Sequence, residues 1–241
     1  KEVEAFYAKK TSPDAKRPYS FGLNSKLVRN SKGQLEEKVW KSGGMYGAAI
    51  DKIVYWLEKA QTVAENKQQA DAIGLLISYY KSGSLKTWDD YNIAWSQATD
   101  GNIDYINSFI EVYSDPLGYR GSYESIVQIK DFDMSKKMEV ISKNAQWFED
   151  NSPLIPENKK KNVVGVSYKT VVVAGESGDS SPATPIGVNL PNSDWIRAEH
   201  GSKSVSLGNI IDAYNNAGGK GRLQEFANDA EEIALAEKYA E

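Results

Sequence analysis

SFIEVYSDPLGYRGSYESIVQIK, residues 108 to 130, decides the fold class. SFIEVY alternates with a period of two, SYESIVQIK is rich in strand-forming residues, and DPLGYRG between them is turn chemistry. The stretch predicts a strand, a turn and a second strand. Alternation puts Phe109, Glu111 and Tyr113 on one face and Ile110 and Val112 on the other. Two readings fit that face: a solvated surface that includes Glu111, or a polar lining that receives a ligand.

The chain before this stretch has the helical period. Glu2 to Lys9 reads as a short helix, followed by the turn-rich TSPDAKRPYS. The glycine-rich KSGGMYG (41 to 47) leads into a helix whose apolar face is Ile50, Ile53, Val54, Leu57 and Ala60. Ile73, Leu76, Ile77 and Tyr80 share the face of a second helix, which Gly83 stops. TWDDYNIAWSQA (87 to 98) reads as a third helix, with Thr87 as N-cap and Trp88, Tyr91 and Trp95 in the core.

Beyond residue 130 the periods alternate again. Met134, Met138, Ile141, Ala145 and Phe148 form one helical stripe, with the methionines as core filler. NVVGVSYKTVVVAG (162 to 175) reads as one strand or two, and Leu207, Ile210, Ile211 and Tyr214 as a helical face. The last segment, NDAEEIALAEKYAE, opens with a capping-box-like Asn228-x-x-Glu231 and runs to Glu241 without a stop signal. With Lys1 rather than Met at the start, the chain reads as a piece of something longer. Strands near 108 to 130 and 162 to 190 with helices at both ends predict an α+β fold, helices flanking a mixed or antiparallel sheet.

TPIGVNLPN (184 to 192) carries the second signal. Ile186, Val188 and Leu190 alternate like a half-buried strand, while Pro185 and Pro191 cannot donate to a ladder, which predicts a sheet edge. Gly187 strips a side chain from its exposed face. An open edge can pair with an extended peptide by β-augmentation. Glu111 with the amide oxygens of Asn189 and Asn192 would make an acceptor cluster suited to an ammonium group. The competing reading makes the two asparagines turn formers after the strand.

Composition narrows the chemistry. A net charge of -4 and a pI near 5.3 argue against broad binding to nucleic acid or anionic membrane. No apolar run approaches the roughly 18 residues of a membrane span. The absence of cysteine excludes disulfides, thiolate zinc sites and cysteine nucleophiles. The single histidine, His200, excludes a His-rich metal site within this chain and reads as a helix C-terminal cap before Gly201. GESG (175 to 178) lacks the spacing of a nucleophile elbow, and no phosphate-binding glycine motif occurs.

FIEVYSDPLGYRGSYES (109 to 125), SPATPIGVNLPNSDWIR (181 to 197) and KSVSLGNIIDAY (203 to 214) together resemble the dipeptidyl-peptidase III family of zinc exopeptidases. KSGGMYG and KTWDDYNIAW resemble its bacterial branch. The resemblance implies two lobes around a cleft, one helical and zinc-bearing, the other receiving the peptide. It implies that Glu111, Asn189 and Asn192 hold the peptide's N-terminal ammonium, and that Tyr113 acts on the scissile region as a catalytic residue. The strand at 184 to 190 would pair with substrate backbone, with Pro185, Gly187 and Val188 at the subsites and Asp194 adding charge nearby. Glu124 matches an acidic position near the cleft.

The family's His-Glu-x-x-Gly-His zinc helix and its downstream glutamate are absent from this sequence. By resemblance the chain is the substrate-binding portion of a zinc dipeptidyl peptidase, with zinc in the full-length protein and none in this chain. Residues 1–131 and 162–219 would belong mostly to the peptide-receiving lobe, and 132–161 and 220–241 to the zinc lobe or the approach to it. The implied partners are peptides with a free N-terminus and the rest of the parent polypeptide, and the implied compartment is the cytoplasm. Two other readings stay open at this point: a non-catalytic peptide-binding module, and a structural fragment that has no activity by itself.

Overall fold

Helices flank a five-stranded mixed sheet in the computed structural model, which describes residues 1–163, 166–181, 184–217 and 229–239. A short helix α1 (Glu2–Ala8) precedes a hairpin of β1 (Ser25–Arg29) and β2 (Leu35–Val39), which the charged sequences SKLVR and LEEKV gave little reason to expect. Three helices follow: α2 (Gly47–Thr62), α3 (Lys67–Ser82) and α4 (Leu85–Gln97). Gly83 ends α3 in the left-handed conformation, φ 71°, its N–H donating to the Tyr79 carbonyl at 2.7 Å. The N-cap of α4 is Ser84 rather than Thr87. Its hydroxyl accepts from the Thr87 amide, so the helix cap lies three residues earlier than the sequence suggested.

β3 (Ile103–Glu111) and β4 (Ser122–Lys130) form the antiparallel pair predicted from residues 108 to 130, with two corrections. β3 starts five residues earlier. Asp104 and Asn107, poor strand formers, are tolerated because both are hydrogen-bonded, Asp104 to Trp95 and Lys203, Asn107 to Tyr80, Tyr123 and Ser125. β3 also stops at Glu111, short of Tyr113, after a bulge at Ile110. Phe109 pairs with Tyr123 and Glu111 with Ser122, neighbours on opposite faces of β4. Phe109 and Glu111 therefore do not share a face, contrary to simple alternation.

The sheet continues through β5 (Val166–Gly178), antiparallel to β4, and β7 (Ser202–Leu207), parallel to β5. β6 (Gly187–Leu190) lies outermost, antiparallel to β7, so the proline-flanked segment is an edge strand as predicted. β7 escaped the sequence reading because Lys203 occupies one of its three buried positions, beside Val205 and Leu207. Between β6 and β7 runs α7 (Asp194–His200), which ends at Gly201 just after His200. The sheet curls: Lys203 on β7 reaches Asp104 on β3 although β4 and β5 separate those strands.

Trp88, Tyr91 and Trp95 of α4 join the core with Ile50, Leu76, Tyr80, Ile106 and Ile126. Helices α5 (Phe132–Lys143) and α6 (Ala145–Asp150) correct another expectation. α5 meets β5 through Ser135, whose hydroxyl donates to the Thr170 carbonyl at 2.9 Å, and this turns Met134, Ile141 and Phe148 outward. Those three positions of the stripe are exposed in this chain rather than core, while Met138 and Ala145 are half-buried. α8 (Gly208–Asn216) follows β7, and α9 (Ala230–Tyr239) is capped by Asp229, whose carboxylate accepts from the Glu231 amide at 2.8 Å. Asn228, the expected cap, lies outside the described residues.

Candidate functional site

The site begins where two strand ends meet. Glu111 closes β3 next to its bulge, and Asn192 follows β6 after a cis Leu190–Pro191 peptide. The Asn192 side-chain nitrogen donates to both carboxylate oxygens of Glu111, at 3.1 Å each. The sequence suggested an amide oxygen as the partner of a ligand. In the structure the amide NH2 is spent on holding the carboxylate, while its own oxygen and the remaining lone pairs of Glu111 stay available as acceptors.

Glu124 stands on the same face. It pairs with Ser108, two residues along β4 from Ser122, the partner of Glu111. Only 6% exposed, its carboxyl is pushed up to about 7, mainly by burial and then by the charges of Glu111 and Asp179. Asp179 went unread in the sequence because ESGDSSPA looks like an ordinary exposed loop. The structure draws it in: its amide donates to the Tyr123 carbonyl at 2.9 Å, one residue after Gly178 pairs with Glu124. Tyr113 projects from the loop after β3, largely exposed. Its phenol is also pushed up, by loss of hydration and then by Glu111, Glu124 and Asp179, which keeps it a hydrogen-bond donor at neutral pH.

The remaining sequence candidates are placed as follows. Val188 and Leu190 turn toward the sheet's packed face, while Asn189 lies on the other face of β6, opposite Ser204. Gly187 is glycine for a local reason: a Cβ there would sit 2.9 Å from the Val205 carbonyl oxygen of β7. Pro185 is half-buried, and Asp194 is the exposed first residue of α7.

Beside Asn192 a cavity of about 650 Å³ opens between α1, α4, the end of β3 and the β6–α7 junction. Trp88, Tyr91, Trp95, Ile110, Leu190 and Pro191 line it, so the three aromatics of α4 are both core and wall. Among the described residues no group of three or more His, Cys, Asp or Glu side chains is placed to hold a metal ion. The donor set present therefore does not fit a zinc site, and no chemical step is assigned here to a metal.

The architecture is shared with solved peptidases. The structure of dipeptidyl-peptidase III from Corallococcus sp. strain EGB superposes with a TM-score of 0.73 at 21% identity, over 89% of this chain and 39% of that one. DPP III from Caldithrix abyssi matches with the same TM-score, 0.73, at 22% identity over 90% of this chain and 40% of that one. The family model described as Peptidase family M49 matches residues 11–241, and the chain belongs to that family. Dipeptidyl peptidase 3 of Rattus norvegicus is 31% identical over 168 residues, 70% of this chain and 22% of that protein. The Dictyostelium discoideum protein of the same name is 31% identical over 170 residues, 70% of this chain and 24% of its own length. The chain thus spans under a quarter of the length of these relatives.

Proposed function

We propose that this chain is the peptide-receiving portion of a zinc dipeptidyl peptidase, and that it anchors the free amino end of a peptide. The observation that carries this reading is the Asn192 amide bridging both oxygens of Glu111 beside the open edge of β6. The two bonds restrain the carboxylate, so its charge is partly aimed before a ligand arrives. The ammonium sits against Glu111, the Asn192 oxygen and an ionised Glu124. The first residues of the peptide extend along β6, whose outer edge has no strand partner among the described residues. Tyr113, kept protonated, donates a hydrogen bond to a carbonyl further along the peptide. On this reading zinc, held by residues outside this chain, would supply the bond-cleaving chemistry, and this chain's contribution is to fix the distance from the amino end to the bond that breaks.

The test is dipeptide release from tetra-alanine and from its N-acetylated form by the intact gene product, read by mass spectrometry. The free peptide is expected to yield dialanine and the acetylated one to be spared, with Glu111→Gln lowering kcat/KM by about 100-fold for loss of a desolvated charge pair. Equal processing of the two peptides, or an unchanged kcat/KM in Glu111→Gln, overturns the reading.

A further inference from the structure

Asp104 and Lys203 form a largely buried charged pair that the proposed site leaves unused. The Lys203 ammonium lies 2.7 Å from an oxygen of Asp104, and the two side chains are 4% and 18% exposed. The contact is walled by α4: the Trp95 indole N–H donates to the other Asp104 oxygen at 3.2 Å and to the Tyr105 carbonyl at 3.0 Å. Its ring lies 4.3 Å from the ammonium. Such a pair is weak as a source of stability, because desolvation offsets much of its Coulombic gain, but it admits one registration of the elements that carry it.

Its place in the sheet says which registration. Lys203 is paired in the β6–β7 ladder with Leu190, two residues before Asn192. Asp104 stands near the start of β3, the strand that ends in Glu111. One continuous path therefore runs from Asp104 to Lys203, across the ladder to Leu190, along the chain to Asn192, and by its amide back to Glu111. β3 and the β6–β7 pair are not neighbours in the sheet; backbone ladders connect them only indirectly, through β4 and β5. The side-chain pair at one end and the Asn192 amide at the other tie them together.

We propose that Asp104 and Lys203 are positioning residues that hold the curled sheet in the one register where Asn192 meets Glu111, and so set the recognition of a peptide's amino end. In its functional part this inference rests on the reading given above.

The test uses Lys203→Met and the double variant Asp104→Asn/Lys203→Met. The double variant leaves no unpaired buried charge, and it keeps the experiment informative where the single variant fails to fold. Two quantities are read in this chain: the side-chain amide resonance of Asn192 in a ¹H–¹⁵N spectrum, and the ratio of Kd for N-acetylated and free tetra-alanine. The expected result is a cooperatively melting double variant whose Asn192 resonance has moved toward the free-amide position. Its preference for the free amine falls about tenfold, the worth of one charge-assisted hydrogen bond. An unmoved resonance with an unchanged ratio overturns the proposal and leaves the pair a packing feature. If the parent chain itself shows no preference for the free amine, the function reading fails instead, and the resonance alone decides whether Asp104 and Lys203 position Asn192.

Discussion

Glu111 and Glu124 share one face of the β3–β4 ladder, the first opposite Ser122 and the second two residues further along. Burial, and then the charges of Glu111 and Asp179, push the Glu124 carboxyl up to about 7. A bound ammonium favours the ionised form. Affinity for a free-amine peptide should therefore rise as the pH climbs through about 7 and fall again as the peptide's own amine deprotonates near pH 8. In Glu124→Gln the acidic limb of that bell should vanish. Titration calorimetry with tetra-alanine between about pH 6 and 9 measures it, and an acidic limb that persists in the variant rules out Glu124 as its source.

Asp89 on α4 makes a stability prediction with a definite sign. It is 6% exposed, one of its oxygens has no hydrogen-bond partner among the described residues, and burial, aided by Asp90, pushes its carboxyl up to about 7 from 3.8. The folded state therefore binds a proton that the unfolded state has released, and stability falls as pH rises from 3.8 to about 7. Asp89→Asn should unfold at a higher urea concentration than the parent at about pH 8, and at a similar one near pH 4. A variant less stable than the parent at pH 8 would show that the carboxylate has a favourable partner.

Gly178 is the residue whose replacement should do the most local damage. Its φ is +72°, and a Cβ there would come within 2.1 Å of the Tyr123 carbonyl oxygen. Gly178→Ala should cost about 3 kcal/mol, combining left-handed strain with overpacking. The neighbouring Asp179 would be displaced from Glu124, so the same variant should also lower the Glu124 pKa, visible as a shifted side-chain carboxyl resonance.

The start of α4 offers a clean discrimination between two hydroxyls. Ser84→Ala should cost about 1 kcal/mol, the usual worth of an N-cap. Thr87→Ala should cost much less, because its backbone amide rather than its hydroxyl makes the capping bond. Urea midpoints of the two variants settle the order, and a larger loss at Thr87 would contradict the observed cap.

What the sequence revealed, and what it concealed, follows from where side chains find partners. Period-two alternation exposed β4, and the two prolines exposed the edge strand, because both are backbone-level signals. The bulge at Ile110 left no mark in the letters, so Phe109 and Glu111 were assigned a common face that the register denies them. β7 stayed hidden behind a buried lysine whose partner lies 99 positions away in the chain. Glu111 and Asn192 could be singled out as polar groups near strand ends, but their 3.1 Å contacts depend on the curl of the sheet, which no local pattern encodes. The apolar stripe of α5 was legible as a stripe, yet its periodicity does not say whether this chain covers it.

The prolines flanking β6 impose a limit on length. Leu207 donates to Ile186, so in this ladder residues 186, 188 and 190 turn their backbone groups inward to β7, while 185, 187, 189 and 191 turn theirs outward. Of those four, Pro185 and Pro191 have no N–H to offer, leaving Gly187 and Asn189 as the outward donors. A strand laid along this edge meets a blank at either end of a two-donor window. Main-chain gain should therefore saturate after a few residues however long the incoming chain is, and the edge is a poor template for the indefinite stacking by which exposed strands propagate into fibrils.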